Sequence, residues 1–446
     1  MDATILAARI DALNRNLEPP GAPDDWPRTF SNAHVNKSIW NELTREMTNE
    51  RSVQSARLDT IRKELAKAKT TARLRKLWAE YGAVYEASQS IFRESREILG
   101  GLAFREKELH DARLCQFAEE IVLDCNRMVG TPASLPLPGH AAVSRTLARV
   151  VRMRLPEWNL WTLPLVAHEY GRVVLDQLDG LVELTEREVA RFAAGRPEWK
   201  VALASEGDPA AILEQASPLL ESLVADAFAA YTMGPAYGYA AITLALNPAD
   251  TGYPPDPLRG ELILAVLERM GENGSKPFED TAKYLRSEWE ALLSQVGRRR
   301  VKRPPLAEAI ADAVVRDHAL ARLRYQVRVE ENYEVLGRTG VHGWRTARAW
   351  AEDWVEDRQN RRRLRLPEVS GASRLHDVLN AAWLARIEVS SGGSATSLSP
   401  EDGGEQSAVQ QIERTALELC RCVIAAHEPP RQPPGQSLML PHGDPR

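Results

Sequence analysis

The sequence predicts a mainly α-helical protein made of a helical stalk or hairpin, a helical core and a C-terminal helical domain. Long stretches with few helix breakers carry apolar residues at intervals of three and four, which is the spacing of one helical face. The period-two alternation that marks strands is nearly absent. Proline-rich segments at 19–23, 130–138 and 247–257 interrupt the helical pattern and predict loops between elements.

Composition is that of an ordinary soluble protein. The chain has 446 residues, enough for two or three domains, of which 43% are hydrophobic and 27% charged. The net charge of -5 argues against nucleic-acid binding through the whole surface. The first residues lack the pattern of a signal peptide, and no run of about 18 apolar residues predicts a transmembrane helix. We therefore expect a cytoplasmic protein without a membrane segment.

The four cysteines support a reducing compartment, because they are too few for a disulfide scaffold and their spacing fits no zinc ribbon. Cys420 and Cys422 form a CxC pair near the C-terminus. We interpret them as helix-face residues in preference to a redox or metal pair, since cysteine is often a small buried hydrophobe.

Six segments are predicted along the chain. They are an N-terminal segment (1–36), a helical hairpin or coiled-coil-like region (37–129), the helical core (130–296), a basic linker (297–305), a C-terminal helical domain (306–389) and a largely disordered tail with one short helix (390–446). In the C-terminal domain, Trp344, Ala347, Trp350 or Ala351, and Trp354 share one helical face, which indicates packing more than a ligand cage.

The hairpin prediction depends on two apolar series, one at Leu58, Ile61, Leu65, Ala68 and Ala72, the other at Leu77, Tyr81, Val84, Ser88 and Ile91. Their steps alternate three and four, which fits a coiled-coil seam and an amphipathic bundle equally well. Gly100-Gly101 is predicted as the turn. Either arrangement suits a docking surface. We expect a protein partner, and the segment 37–126 is where an oligomer contact would lie.

Within the core, helices are predicted at 140–154, 160–178, 181–193 and 217–232. Gly234-Pro235 is expected to break or kink the pattern before a further helix that runs to Leu246. Two more helices are predicted at 258–270 and 280–295.

The central helix carries two ionisable residues in an apolar stretch, His168 and Glu169, followed three residues later by Arg172. In the HExxH pattern, two histidines on one helical face bind zinc and the glutamate acts as general base. About 50 residues later, the helix around Glu221 to Tyr231 carries Ala225-Asp226. Together the two stretches resemble the gluzincin-type zinc metallopeptidases, in which a downstream E-x-x-A-D helix supplies the third ligand. The resemblance covers about residues 155–245 and implies a zincin-like helical core.

The motif departs from that family at two positions. Arg172 stands where the second histidine belongs, and a guanidinium offers a metal no lone pair. Ser222 stands at the position of the third ligand, while Glu221 is one step off, about 100° around the helix. His168, Glu169 and Asp226 match the pattern unchanged. A catalytic zinc usually needs three protein ligands.

Two functions follow from the resemblance. In the first, the chain is a degenerate metallopeptidase that acts as an interaction or regulatory scaffold without a cofactor, and Arg172 takes the place of the metal cation by pairing with Glu169, Glu221 or Asp226. In the second, it is an active zinc peptidase with Glu169 as base and His168 with Glu221 or Asp226 as ligands. Tyr231 and Tyr237 would then stabilise an oxyanion, and are otherwise packing residues. A purely structural helical adaptor, in which His168 and Glu169 are ordinary core and salt-bridge residues, is a third reading.

Overall fold

The structure is a computed structural model. It describes residues 3–17, 26–30, 35, 37–108, 113–129, 135–139, 150–154, 159–175, 209–250, 256–270, 278–297, 339–360, 362–370, 373–391 and 404–427. It is mainly helical, as the sequence predicts. The chain forms two compact units, divided between Arg345 and Thr346. Positions 298–338, which include most of the predicted basic linker, lie outside the described residues, as does the predicted helix at 181–193.

The first unit begins with an antiparallel helical hairpin. Helix α1 (Ala3–Leu17) and the short α2 (Trp26–Thr29) precede its two long arms, α3 (Lys37–Leu65) and α4 (Thr71–Glu108). One end of the hairpin buries Leu58, Ile61, Leu65, Leu77, Tyr81 and Val84 together with Leu6 and Ile10 of α1. The other end buries Ile39, Trp40, Leu43, Met47, Ile98 and Leu102. The two predicted apolar series therefore form the seam between the arms, except at Ala72, which is exposed in the first turn of α4.

The turn of the hairpin is not at Gly100-Gly101, and that prediction is wrong. The chain reverses at residues 66–70, where Thr70 Oγ1 accepts a hydrogen bond from the Arg73 N–H and begins α4. Helix α4 continues through both glycines. Each glycine costs a helix about 1 kcal/mol relative to alanine, and burial of the flanking Ile98 and Leu102 offsets this cost.

A pair of parallel strands, β1 (Leu135–Gly139) and β2 (Val150–Arg154), follows helix α5 (Leu114–Val129). The predicted linker at 130–138 and the end of the predicted helix at 140–154 are therefore wrong where they are described. Pro136 and Pro138 cannot donate to a ladder, but residues two apart direct their N–H groups to the same edge, so β1 can still bond β2 through its other residues. Val150 and Val151 favour the extended backbone of β2.

The core of the first unit is built from helices around the predicted motif. A 3₁₀ helix (Leu160–Leu165), capped by Asn159, leads into α6 (Val166–Leu175), and the long α7 (Pro209–Met233) contains the predicted 217–232 helix. Gly234, with φ of 62°, ends α7 as expected, because this backbone conformation favours glycine. Helix α8 (Pro235–Ala240) continues as a π-helical turn (Ala241–Ala245). The predicted helices at 258–270 and 280–295 are α9 (Asp256–Arg269) and α10 (Glu279–Gln295).

Helix α11 (Thr339–Gln359) crosses the boundary between the units, and the second unit continues with α12 (Leu375–Ser391) and α13 (Gly404–His427). Trp344, Ala347, Trp350, Ala351 and Trp354 are buried, as their helical spacing predicts. The expected single short helix of the tail is wrong, because α13 has 24 residues and packs against α12. Its apolar face buries Ile412, Ala416, Leu419 and Val423. The tail before this face is rich in serine, glycine and acidic residues, and this composition led to the prediction of disorder.

None of the helices that the structure describes is long and apolar enough to cross a membrane. All four cysteines fall within the described residues, and none of them forms a disulfide there. Cys420 is buried and Cys422 is exposed, so the CxC pair presents its two thiols to different environments. Burial raises the pKa of the Cys420 thiol well above its usual range. This geometry is the one expected of helix-face residues.

Candidate functional site

The predicted motif lies where α6 and α7 pack against each other. Gly171 permits this close approach, because a Cβ atom at that position would lie 3.0 Å from Phe228 Cδ1 and 3.2 Å from Ala225 Cα. Helix α7 adds small buried side chains at Ala225 and Ala229. The packing brings His168 and Arg172 of α6 into contact with acidic residues of α7.

His168 contacts Asp226. The distance from its Nδ1 to Asp226 Oδ1 is 2.9 Å. The Tyr237 hydroxyl, from α8, donates to the same oxygen at 2.5 Å and lies 3.4 Å from His168 Nδ1. An ionised carboxylate can only accept hydrogen bonds, so Nδ1 of His168 carries the proton in this contact and the lone pair of the neutral ring lies on Nε2.

Arg259 of α9 completes the environment of Asp226. Its Nε donates to Oδ2 at 2.8 Å and its Nη2 to Oδ1 at 3.0 Å, which is a bidentate pair. Its third nitrogen, Nη1, donates to Asp256 Oδ1 at 3.0 Å. Four helices, α6 to α9, thus meet at one carboxylate whose exposed fraction is 0%.

The electrostatics of this cluster follow from the burial of Asp226. Burial alone would raise the pKa of Asp226, but the charge of Arg259 and the contact with His168 outweigh it and hold the pKa well below its usual range. Burial would lower the pKa of Arg259, but Asp226 outweighs this effect and raises it. Burial and the charge of Asp226 raise the pKa of Tyr237 well above 10. The cluster is therefore an ion pair of Asp226 and Arg259, with a phenol held neutral.

Arg172 pairs with Glu221, one of the three acids named for it in the sequence. Its Nε donates to Glu221 Oε1 at 3.2 Å, across the α6–α7 contact. The Glu221 side chain is 9% exposed and that of Arg172 is 27% exposed. Asp226 pairs with Arg259 instead, because Arg259 reaches both of its oxygens. Each of these two acids therefore has its own guanidinium.

Glu169, the predicted base, differs from the two acids on α7. Its side chain is half-buried, and its Oε2 atom is buried without a hydrogen-bond partner among the described residues. It lies close enough to Tyr237 for its charge to contribute to the raised pKa of that phenol. Glu169 thus lies beside the Asp226 cluster but makes no hydrogen bond to its described members.

The remaining predicted residues are Tyr237, Tyr231 and Ser222. Tyr237 has its hydroxyl occupied by Asp226, so it belongs to the buried cluster. Tyr231 is buried on α7, and Ser222 is half-buried on the same helix, one turn before Asp226. The structure thus brings His168, Asp226 and Tyr237 together, and separately Arg172 and Glu221.

Sequence reasoning missed Arg259. It lies 33 residues after Asp226, on a helix that has no motif of its own, and no fixed spacing predicts the contact. A general signal was nevertheless present. An aspartate in the middle of the apolar run from Leu223 to Tyr231 must be buried, and a buried carboxylate needs a cation or several donors.

The side chains around His168 do not fit a catalytic zinc. Arg172 has no lone pair to offer, Glu221 is bonded to Arg172, and both oxygens of Asp226 accept hydrogen bonds from His168, Tyr237 and Arg259. Across the part of the chain that the structure describes, no three or more His, Cys, Asp or Glu side chains are grouped as metal ligands.

Comparison of the chain with protein-family models, with curated proteins and with solved structures finds no match. The resemblance to zinc metallopeptidases therefore stays a prediction from the motif residues.

Proposed function

We propose that this protein is a degenerate relative of the HExxH metallopeptidases that acts as an interaction or regulatory scaffold without a catalytic metal. In this proposal the helices that form the metal site of a peptidase are held together by ion pairs. Arg172 and Arg259 supply the positive charge that the buried acids require. The proposal places the protein in the cytoplasm, because the four cysteines, all within the described residues, form no disulfide there.

The pair between Arg172 and Glu221 is the observation that carries this proposal. It joins α6 to α7 at the helical position where the peptidase motif has its second histidine. A guanidinium there supplies a positive charge and directional donors, and both stabilise the acid, but it cannot activate water as a metal does. The pair therefore retains the structural role of a metal site and loses the chemical one.

A zinc peptidase with atypical ligands is the second candidate, and one contact favours it. In metal sites, a carboxylate commonly accepts the proton of the ring nitrogen that does not bind the metal, and it thereby orients the histidine. Asp226 makes this contact with His168 Nδ1. Glu169, with its unpartnered buried oxygen, stands next to this histidine as a base would. This candidate requires Arg172 to release Glu221.

Metal content and proteolysis separate the two candidates. Protein purified without a histidine tag or chelator is analysed for zinc, and its activity on unstructured peptides is measured beside Glu169→Gln. The scaffold proposal expects less than stoichiometric zinc and the same background rate in both proteins. One equivalent of zinc, together with a peptidase rate that Glu169→Gln abolishes, would overturn it.

A gain-of-function variant sharpens this test. The double substitution Arg172→His and Ser222→Glu places a second imidazole and a carboxylate at the two positions where the chain departs from the peptidase motif. If α6 and α7 keep a peptidase-like geometry, this variant binds zinc and the parent does not. Arg172→Gln with Ser222→Gln is the matched control, because it removes the same ion pair without adding ligands. A double variant that folds and binds no more zinc than this control contradicts the ancestry of the site.

The hairpin of α3 and α4 is the surface that we propose for a protein partner. Phe92 is 61% exposed and Tyr85 is 42% exposed, and their spacing of seven residues, about two helical turns, places both on one face of α4. Large exposed apolar side chains that share a face are typical of contact sites. Phe92→Lys with Tyr85→Lys should abolish partner capture or self-association, measured by light scattering. Ala83→Lys with Ser90→Lys, which adds the same charges at two exposed positions on another side of α4, should not. Unchanged mass and capture in the first variant would exclude this face.

A further inference from the structure

One pair of residues joins the end of α13 to the start of α12 in the second unit. Arg374, immediately before α12, lies with its Nη1 2.8 Å from Nε2 of His427, the last residue of α13. The two helices are antiparallel, since Glu413 near the start of α13 lies close enough to Arg386, near the end of α12, to influence its pKa. The contact therefore fixes one end of the helix pair.

The chemistry of the contact requires a neutral histidine. A guanidinium carries donors and no acceptor and stays protonated in proteins. His427 Nε2 must therefore accept the hydrogen bond, which places the ring proton on Nδ1. A second proton on His427 would turn the acceptor into a donor and set two cations face to face. The contact exists only while His427 is neutral.

Charged side chains surround this contact on both helices of the pair and on α11. Asp377 is the carboxylate at the start of α12. Its Oδ2 accepts a hydrogen bond from the backbone N–H of Arg374 at 2.9 Å. Its Oδ1 lies 3.6 Å from Nε2 of His376, a buried ring on the same turn. On α13 itself the preceding charged residues are Arg421 and Glu418, both exposed, and α11 contributes Arg358, which contacts Gln411 at the other end of α13. Asp377 is thus engaged by the Arg374 backbone and by the imidazole of His376.

His376 also gains a positive charge when it is protonated in acid. Burial lowers the pKa of His376, Asp377 partly opposes this, and the charge of Arg374 lowers it further. In neutral solution the positive charge of Arg374 and the negative charge of Asp377 cancel. In acid the cluster acquires up to two further positive charges at the same helix ends.

We propose that the contact between Arg374 and His427 is an acid-sensitive latch that holds the C-terminal end of α13 against the start of α12. When His427 is neutral the latch is closed and this end of the helix pair is joined. When His427 is protonated the hydrogen bond is lost, the two cations repel, and the end of α13 separates. The buried apolar face from Ile412 to Val423 keeps the rest of the helix in place.

Hydrogen exchange on the full-length protein tests the latch. Amide protection of α13 is compared at about pH 7.5 and about pH 5.5, corrected for intrinsic exchange. We expect protection of residues 420–427 to fall by about fivefold or more in acid, while residues 408–416 change little. His427→Gln keeps a neutral acceptor for Arg374 at both pH values, so this acid response should disappear. Arg421→Gln, which removes an exposed charge from the same helix, should respond as the parent does.

Two results would overturn the proposal. One is an acid response in His427→Gln equal to that of the parent, because the acid-sensitive group would then lie elsewhere. The other is a parent protein whose residues 420–427 keep their protection in acid. If His427→Gln does not fold, the nitrogen-15 spectrum of the parent decides. An Nε2 resonance that is unprotonated at neutral pH and protonated together with the loss of protection supports the latch, and an Nε2 that carries the proton at neutral pH refutes it.

Discussion

Arg259→Met is the sharpest test of the site, because it removes one partner of the buried Asp226 and preserves most of the side-chain volume. Two charge-assisted hydrogen bonds are lost, and a carboxylate with no exposed surface remains. Breaking a buried ion pair on one side costs about 3–5 kcal/mol. The Arg259 side chain is 23% exposed, so water reaches the vacated position and we expect the lower end, about 3 kcal/mol.

The assay is urea unfolding followed by circular dichroism, with hydrogen exchange used to assign the transition to the unit that contains α6 to α9. Arg62→Met is the matched control, because it makes the same chemical change in an exposed pair with Asp11, 3.1 Å apart. Its expected effect is less than about 1 kcal/mol. Adding Asp226→Asn to Arg259→Met should recover part of the loss, since no unpaired charge then remains.

The pH dependence of the same variant gives an independent measurement. In the parent protein the pKa of Asp226 lies below its unfolded value, so its contribution to stability is present above about pH 4 and is lost as the pH falls below that value. Without Arg259, burial dominates and raises the pKa of Asp226, so the deficit of the variant should shrink in acid. A variant no less stable than Arg62→Met, or a deficit that stays constant down to about pH 4, would refute the assignment of Arg259.

Three further predictions follow from the geometry. Arg172→Ala should lower the free energy of unfolding by about 1–3 kcal/mol, because Glu221 is buried but the pair has a single described hydrogen bond; an unchanged urea midpoint would contradict it. Gly171→Ala should cost about 1–3 kcal/mol through overlap with α7, whereas Gly82→Ala, with nothing within 4 Å of the new Cβ, should be neutral or stabilising by up to about 1 kcal/mol in thermal unfolding. The folded-state pKa of His376 lies below 6.5, so the second unit should lose stability as the pH falls from about 7 through that lowered value, and His376→Gln should flatten this dependence if the variant folds.

The helices could be predicted from the sequence wherever an apolar face repeats with helical spacing. Leu58, Ile61 and Leu65 identified the hairpin seam, and the tryptophan series identified the buried face of α11. The errors have physical causes. Gly100-Gly101 resembles a turn locally, but packing on either side keeps the helix continuous. The sequence at 401–405, where α13 begins, consists of glycine and acidic residues, and the apolar face that stabilises the helix begins only after it.

The candidate site could be predicted only in part, since a motif records spacing along one helix and not the partners that other helices bring. The pairing of Arg172 with an acid of α7 followed from one helical turn and from charge. The choice between Glu221 and Asp226 did not, because it depends on Arg259, which reaches Asp226 from α9. The sequence therefore identified the ionisable residues of α6 and α7 but could not predict which arginine pairs with which acid.

That distribution bears directly on the choice between scaffold and enzyme. A zinc peptidase keeps buried acids ionised with a metal that also activates water, so loss of the metal leaves its acids unpaired. Here Asp226 is paired with Arg259 and Glu221 with Arg172, each within the protein itself. Zinc binding between α6 and α7 would therefore have to displace an arginine as well as find ligands. Under the scaffold proposal, the two ion pairs balance the buried acids and hold α6, α7 and α9 together without a metal.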